Sequence, residues 1–78
     1  MRVRLRYFAS LREQLGPGEE RTVRAGTTAG ALWDAVTRAH PPAGRVRVRL
    51  AVNERYVALD HVLADGDELA VFPPVSGG

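Results

Sequence analysis

Two consecutive glycines, Gly77 and Gly78, end the sequence and offer one chemically useful group, a terminal carboxylate. A carboxylate is a poor electrophile, but as a mixed anhydride with AMP it accepts attack by a nucleophile. Glycine has no Cβ, so this end of the chain can enter a narrow active site and let reacting groups approach closely. We therefore expect Gly78 to react, with Gly77 beside it, on a partner protein that binds ATP.

The composition limits where other chemistry could occur. The 78 residues include no cysteine and no lysine, and all eleven basic residues are arginine. Sulfur therefore cannot be carried on a side-chain thiol, and no thiolate metal site can form. The sequence also has no phosphate-binding loop. We expect a carrier or substrate that binds no cofactor and no metal itself, with ATP used by the activating partner.

Length and charge exclude further classes of protein. A chain of 78 residues makes one small domain. Its net charge is only +2, and the high pI reflects arginines that never lose their proton. No stretch approaches the roughly 20 apolar residues of a membrane span, and the N-terminus has no signal-peptide core. We expect a cytoplasmic protein that binds neither membrane nor nucleic acid.

The first elements that must position the glycines form a hairpin. Residues 2–8 alternate as a half-buried strand does, with the inward side made of Val3, Leu5 and Tyr7. Ser10 and Glu13 fit a capping box over a short helical segment. Residues 20–24 read as a second strand.

One longer amphipathic helix follows, with Thr28 as its N-cap and its end near Ala39, before two prolines. Its buried stripe is predicted to comprise Leu32, Ala35, Val36 and Ala39, with Trp33 at the margin. A third strand ends at Val52, a short one follows the Asn53–Glu54 turn, and the last covers residues 68–72.

This order of elements predicts an α+β fold. One helix packed across one mixed sheet of four to five strands buries both apolar faces in two layers. That arrangement is the β-grasp, or ubiquitin-like fold, in which the first and last strands lie parallel in the middle of the sheet. We expect residues 1–74 to form the domain and residues 75–78 an extended, flexible tail projected by Pro73 and Pro74.

Phe8 and Phe72 are predicted on the outer face of the sheet, opposite the helix. If their strands are neighbours, the two rings lie close together at the root of the tail, which suggests a surface for docking a partner. Arginines share this face and could guide it toward acidic partners, contact nucleic acid, or simply be solvated; they are Arg2, Arg4, Arg6, Arg47 and Arg49.

Specific residues resemble a known family. The segment Asp65–Gly78, with its Phe-Pro-Pro-Val-Ser step at residues 72–76, resembles the C-terminal signature of the small subunit of molybdopterin synthase. Tyr7-Phe8-Ala9 followed by Leu11-Arg12-Glu13 is similar to that family's first strand and helical turn. Asn53, Asp60 and His61 also fall where the family often has them. The thiamin-pathway carrier shares the fold and the Gly-Gly end, but usually lacks the Phe-Pro-Pro-Val-Ser step.

The resemblance implies a sulfur carrier that is not catalytic alone. An E1-like adenylating enzyme would activate the Gly78 carboxylate with ATP, and a sulfurtransferase would convert it to a thiocarboxylate. The tail would then enter the large subunit of molybdopterin synthase and donate sulfur to cyclic pyranopterin monophosphate, within a heterotetramer of two small and two large subunits. The implied partner contacts are Phe8, Arg12, Phe72, Pro73, Pro74, Val75 and Ser76.

Two alternatives stay open on the same fold and tail. One is a sulfur carrier for thiamin or tRNA thiolation. The other is a ubiquitin-like protein modifier or pure binding module, in which Gly78 forms an amide with a target or does nothing.

Overall fold

Five strands form one mixed sheet, and the longest helix packs against one face of it. The computed structural model describes residues 1–74. The elements are, in chain order, β1 (Arg2–Tyr7), α1 (Ala9–Leu15), β2 (Gly18–Thr22), α2 (Ala29–Ala39), α3 (Pro41–Gly44), β3 (Arg49–Val52), β4 (Arg55–Val57) and β5 (Glu68–Phe72).

β1 and β2 form an antiparallel hairpin with α1 in its connection, and the predicted alternation of buried and exposed residues in β1 is confirmed. The capping box predicted at Ser10 and Glu13 is wrong, because α1 starts earlier. Phe8 occupies the N-cap position without a side-chain cap bond, and its carbonyl accepts hydrogen bonds from the first turn. β2 also starts two residues early, since the register of the hairpin pairs Gly18 with Arg6.

α2 begins as predicted at Thr28, whose hydroxyl accepts a hydrogen bond from the backbone N–H of Ala31 at 3.1 Å. Leu32 and Val36 are buried, whereas Ala39 is exposed because the helix ends there.

Trp33 and α3 depart from the sequence prediction. Trp33 is buried rather than marginal, because its ring packs 6.4 Å from that of Tyr7. The prolines that end α2 also begin the single turn of α3, since proline fits the first turn of a helix.

The strand order β2-β1-β5-β3-β4 places β1 and β5 side by side and parallel in the centre, as predicted. β3 pairs antiparallel with β5 and with β4. Asn53 and Glu54 form the turn between β3 and β4 with φ values of 49° and 71°, which suit a two-residue hairpin connection.

The core lies between the sheet and the helices. Among residues 1–74 it contains no polar or charged residue apart from the Tyr7 hydroxyl, and its largest fully buried side chains are Tyr7, Leu5, Leu11, Leu32, Leu69, Val3, Val36 and Val71. This two-layer arrangement is the predicted β-grasp, and it directs the end of β5 out of the sheet.

Candidate functional site

Phe8 and Phe72 lie side by side on the face of the sheet opposite α2. Phe72 ends β5 and Phe8 directly follows β1, and the parallel register that pairs Tyr7 with Val71 brings them together. Their ring centroids are 4.5 Å apart with planes inclined by 13°, which is a stacked arrangement. Both rings are half-buried. The stack therefore sits where the chain leaves the sheet toward Gly78.

A third ring extends this stack. Tyr56 in β4 meets Phe72 edge-on at 6.2 Å and is 62% exposed. β3 lies between β5 and β4, and its Ala51 pairs with Ala70 on one side and with Tyr56 on the other. We call Phe8, Phe72 and Tyr56 the ring cluster. The sequence pattern does not identify Tyr56 as part of this surface. The two-residue turn between β3 and β4 could have indicated it, because that turn pairs Tyr56 with Ala51 on the outer face.

Arginines flank the ring cluster. The guanidinium of Arg6 lies 5.1 Å from the centroid of Phe8, and that of Arg49 lies 4.2 Å from the centroid of Tyr56. Both contacts are of cation–π type, worth about 0.5–1 kcal/mol at exposed sites. Arg12 is exposed on α1, one turn beyond Phe8. The aromatic surface thus has positive charge on more than one side.

All three arginines on β1 have an acidic partner. Surface ion pairs join Arg2 and Arg4 to Glu20 at 3.0 and 3.7 Å, and Arg6 to Glu68 at 3.5 Å. Within residues 1–74, Arg49 has no carboxylate within 4.0 Å. Arg12, like Arg49, forms no ion pair within these residues, so both could attract an acidic partner to the ring cluster.

Two prolines carry the chain away from the ring cluster. Pro73 is half-buried and Pro74 is exposed, and the fixed φ of proline restricts the direction of exit. The predicted contacts Val75 and Ser76, and the reacting residues Gly77 and Gly78, lie outside the described residues. Their roles stay predictions.

A network of three polar side chains lies at the edge of the core next to β2, on the helix side of the sheet. The Tyr7 hydroxyl donates to Glu19 Oε2 at 3.0 Å, and Arg21 Nε donates to Glu19 Oε1 at 2.8 Å. Burial, and the bond to Glu19, raise the pKa of Tyr7. Burial also acts to raise the pKa of Glu19, but the bonds from Arg21 and Tyr7 outweigh it and lower that pKa. These charges point inward from an edge strand, which discourages pairing with another sheet.

The acidic turn before β5 has a structural role. Asp67 accepts hydrogen bonds from Asn53 Nδ2 and from the N–H of Ala64, both at 2.8 Å. Asp65 accepts one from the N–H of Arg2 at 2.7 Å. These bonds fix the β3–β4 turn against the start of β5. In the described part of the chain no group of three His, Cys, Asp or Glu side chains could hold a metal ion.

A search of residues 1–74 for a helix both long and apolar enough to cross a membrane finds none.

Fold and site together define a ubiquitin-like β-grasp domain with an aromatic surface at the exit of its last strand. A profile described as the ThiS family matches residues 5–78. The chain therefore belongs to the ThiS family, in agreement with the resemblance found in its sequence.

Individual relatives match along nearly the whole chain. The molybdopterin synthase sulfur carrier subunit of Mycobacterium tuberculosis is 39% identical, over 100% of this chain and 99% of that protein. The small archaeal modifier protein 1 of Haloferax volcanii is also 39% identical, over 94% of this chain and 97% of that protein. The crystal structure of SAMP1 from Haloferax volcanii superposes with a TM-score of 0.85 at 35% identity, covering 100% of both chains.

Proposed function

We propose that this protein is the sulfur-carrying small subunit of a molybdopterin synthase. The observation that carries the proposal is the ring cluster at the exit of β5, where Phe72 precedes Gly78 by six residues, in a chain that matches a sulfur carrier subunit along its full length. An aromatic surface beside a transferable end suits a protein that is held by others while its tail reacts.

The proposed chemistry has three steps. On an E1-like adenylating enzyme, a Gly78 carboxylate oxygen attacks the α-phosphorus of ATP and displaces pyrophosphate. The persulfide of a sulfurtransferase attacks the glycyl carbonyl and AMP leaves; a thiol reductant then cleaves the S–S bond and leaves the thiocarboxylate. In the large synthase subunit, that sulfur passes to cyclic pyranopterin monophosphate, and a water oxygen restores the carboxylate.

The residues of this chain contribute binding and orientation. The ring cluster supplies apolar contact area, and Arg12 and Arg49 favour partners with acidic rims. Pro73 and Pro74 restrict the exit, so that the remaining four residues, which span at most about 14 Å, point toward a partner's active site. ATP is bound by the adenylating enzyme, and this chain binds no cofactor. Two small and two large subunits would form the working assembly.

Reconstitution tests the proposal. Thiocarboxylated chain, large subunit and cyclic pyranopterin monophosphate should yield molybdopterin in proportion to the thiocarboxylate supplied. The unmodified chain and a variant lacking Gly78 serve as controls and should yield none. Molybdopterin formation from either control would contradict the proposal.

A protein modifier is the second candidate, favoured by the 39% identity to small archaeal modifier protein 1. In that case the adenylated Gly78 would form an amide with a lysine amine of a target protein, releasing AMP. Because the chain has no lysine and its last arginine is Arg55, trypsin would leave residues 56–78 attached to the modified lysine. Detection of that branched peptide on cellular proteins, and its loss on deletion of Gly78, would favour the modifier.

The carriers for thiamin and tRNA thiolation use the same tail chemistry with another acceptor. Co-purification with the large synthase subunit, together with sulfur transfer to cyclic pyranopterin monophosphate, would separate the molybdopterin pathway from both.

A further inference from the structure

An exposed groove lies on the helix side of the domain, away from the ring cluster. It has a volume of about 550 Å³ and runs between α2, the segment before β3 and the loop after β4. Trp33, Val46, Val48 and Leu59 give it apolar walls. Its size is within the range of sites that bind several side chains or a small ligand.

Leu59 is held rigidly and yet exposed. Its carbonyl accepts a hydrogen bond from the N–H of Gly30 at 2.8 Å, and the carbonyl of His61 accepts one from Ala29 at 2.8 Å. Gly30 allows this close approach, because a Cβ there would lie 2.9 Å from the Cβ of Leu59. The Leu59 side chain is nevertheless 63% exposed. An exposed leucine on a hydrogen-bonded backbone contributes little to the core, and such a residue is well placed to contact a partner.

The charged residues that line this groove are both acidic. Asp34 and Asp60 line it, and none of the eleven arginines does. Neither carboxylate has a basic group within 4.0 Å among residues 1–74. The groove is therefore complementary to an apolar side chain accompanied by an arginine or lysine.

The groove opens at the end of the sheet from which the tail leaves. The register pairs Arg49 with Phe72 in β5 and Leu50 with Val57 in β4, so Val48 and Leu59 fall one row beyond Phe72. The ring cluster occupies the opposite face of the sheet. Two proteins could thus bind the domain at once, one on each face, both near the root of the tail.

We infer that this groove seats the sulfur-donating protein while the adenylating enzyme holds the ring cluster; the inference rests on the proposed function. An acyl adenylate is hydrolysed by water, so sulfur must arrive before the carrier leaves the enzyme that activated it. A donor that binds the free face meets this requirement. The segment it inserts carries an apolar side chain beside an arginine or lysine.

The test compares two sulfur sources on purified, full-length chain. Asp34→Arg and Asp60→Arg reverse the charge of the groove, and Glu54→Arg makes the same change at the far end of β4. All three positions are exposed, so the variants should fold, which circular dichroism checks. Pyrophosphate release reports adenylation, and intact mass reports the thiocarboxylate.

With a persulfide-loaded sulfurtransferase, both groove variants should form thiocarboxylate about tenfold more slowly than native chain, at an unchanged rate of adenylation. Hydrosulfide needs no docking, and should restore the native rate in both. Leu59→Asn should behave as they do, and Glu54→Arg as the native chain does.

Equal rates with the sulfurtransferase for native and groove variants would overturn the inference. Slower adenylation of the groove variants would assign the groove to the adenylating enzyme. Weaker binding of the large subunit, with no change in either rate, would assign the groove to the large subunit. Either result overturns the inference as well. If native chain is not adenylated, or forms no thiocarboxylate with either sulfur source, the proposed function itself fails, and this result is distinct from the others.

Discussion

Replacing Phe72 by alanine removes two ring contacts at once, the stack on Phe8 and the edge contact with Tyr56. Each aromatic pair contributes about 0.5–1.5 kcal/mol, so the free energy of unfolding should fall by about 2 kcal/mol. In a domain of this size that corresponds to a decrease in Tm of about 10 °C. Phe8→Ala removes the stack and the cation–π contact with Arg6, and should cost about 1.5 kcal/mol.

The same substitution should weaken binding at least as much as it weakens folding. If Phe72 anchors the large synthase subunit, its removal should cost at least about 2 kcal/mol of binding free energy, or roughly 30-fold in Kd. Urea unfolding measures the first quantity and titration calorimetry at a temperature where the variant is folded measures the second. A double-mutant cycle of Phe8→Ala and Phe72→Ala isolates the stack itself.

Val62→Ala provides the matched control. Val62 is 57% exposed and lies outside the ring cluster, so its truncation should change stability by less than about 0.5 kcal/mol and leave Kd unchanged. A Phe72→Ala chain that binds the large subunit as tightly as the native chain would refute the docking role, whatever its stability.

Four further predictions concern the framework. Because the pKa of Tyr7 is raised in the fold, the unfolded chain loses this proton first as pH rises above about 10. The free energy of unfolding should therefore decline above that pH, by up to about 1.4 kcal/mol per pH unit, and a Tyr7→Phe chain should lack this contribution. The lowered pKa of Glu19 gives stability that is present above its ordinary value of 4.5 and lost as pH falls below it, and Glu19→Gln should flatten that acid limb in urea titrations. Gly18→Ala would press a Cβ against the carbonyl oxygen of Leu5 in β1 and should destabilise the hairpin by about 1–3 kcal/mol, whereas an unchanged Tm would show that β2 can shift freely. Asp67→Ala removes the acceptor of Asn53 and should cost about 2 kcal/mol in urea unfolding; an effect no larger than that of an exposed control would contradict its structural role.

Local patterns predicted the elements that depend on near neighbours. The alternation of β1, the cap at Thr28 and the turn at Asn53 all follow from residues close in sequence, and each is confirmed. The central parallel pair β1–β5 required one additional step, the recognition that one helix and a mixed sheet pack in two layers.

Features that depend on contacts between residues far apart in the chain could not be predicted from local sequence patterns. Phe8 starts α1 because its N–H donates to the carbonyl of Val71, a partner 63 residues away in sequence, and this overrides the local capping box. Trp33 is buried by its contact with Tyr7 rather than by its position on the helix.

The residues of the candidate site likewise include some that the sequence predicted and some that it did not. Phe8 and Phe72 were predictable as neighbours once their strands were paired, whereas Tyr56 depends on the register of a three-residue edge strand. The groove at Leu59 joins segments far apart in the chain, and no local pattern indicates it. The roles of Gly77 and Gly78 rest on chemistry and family, because they lie outside residues 1–74.

The central claim is that sulfur is carried on the Gly78 carboxylate, and intact mass tests it most directly. The native chain is incubated with ATP, an adenylating enzyme and a persulfide-loaded sulfurtransferase in the presence of a thiol reductant. The account predicts a gain equal to the replacement of one oxygen by sulfur, confined to the tryptic peptide 56–78 and lost on deletion of Gly78. An unchanged mass while ATP is consumed, or the same gain on the chain lacking Gly78, would contradict it.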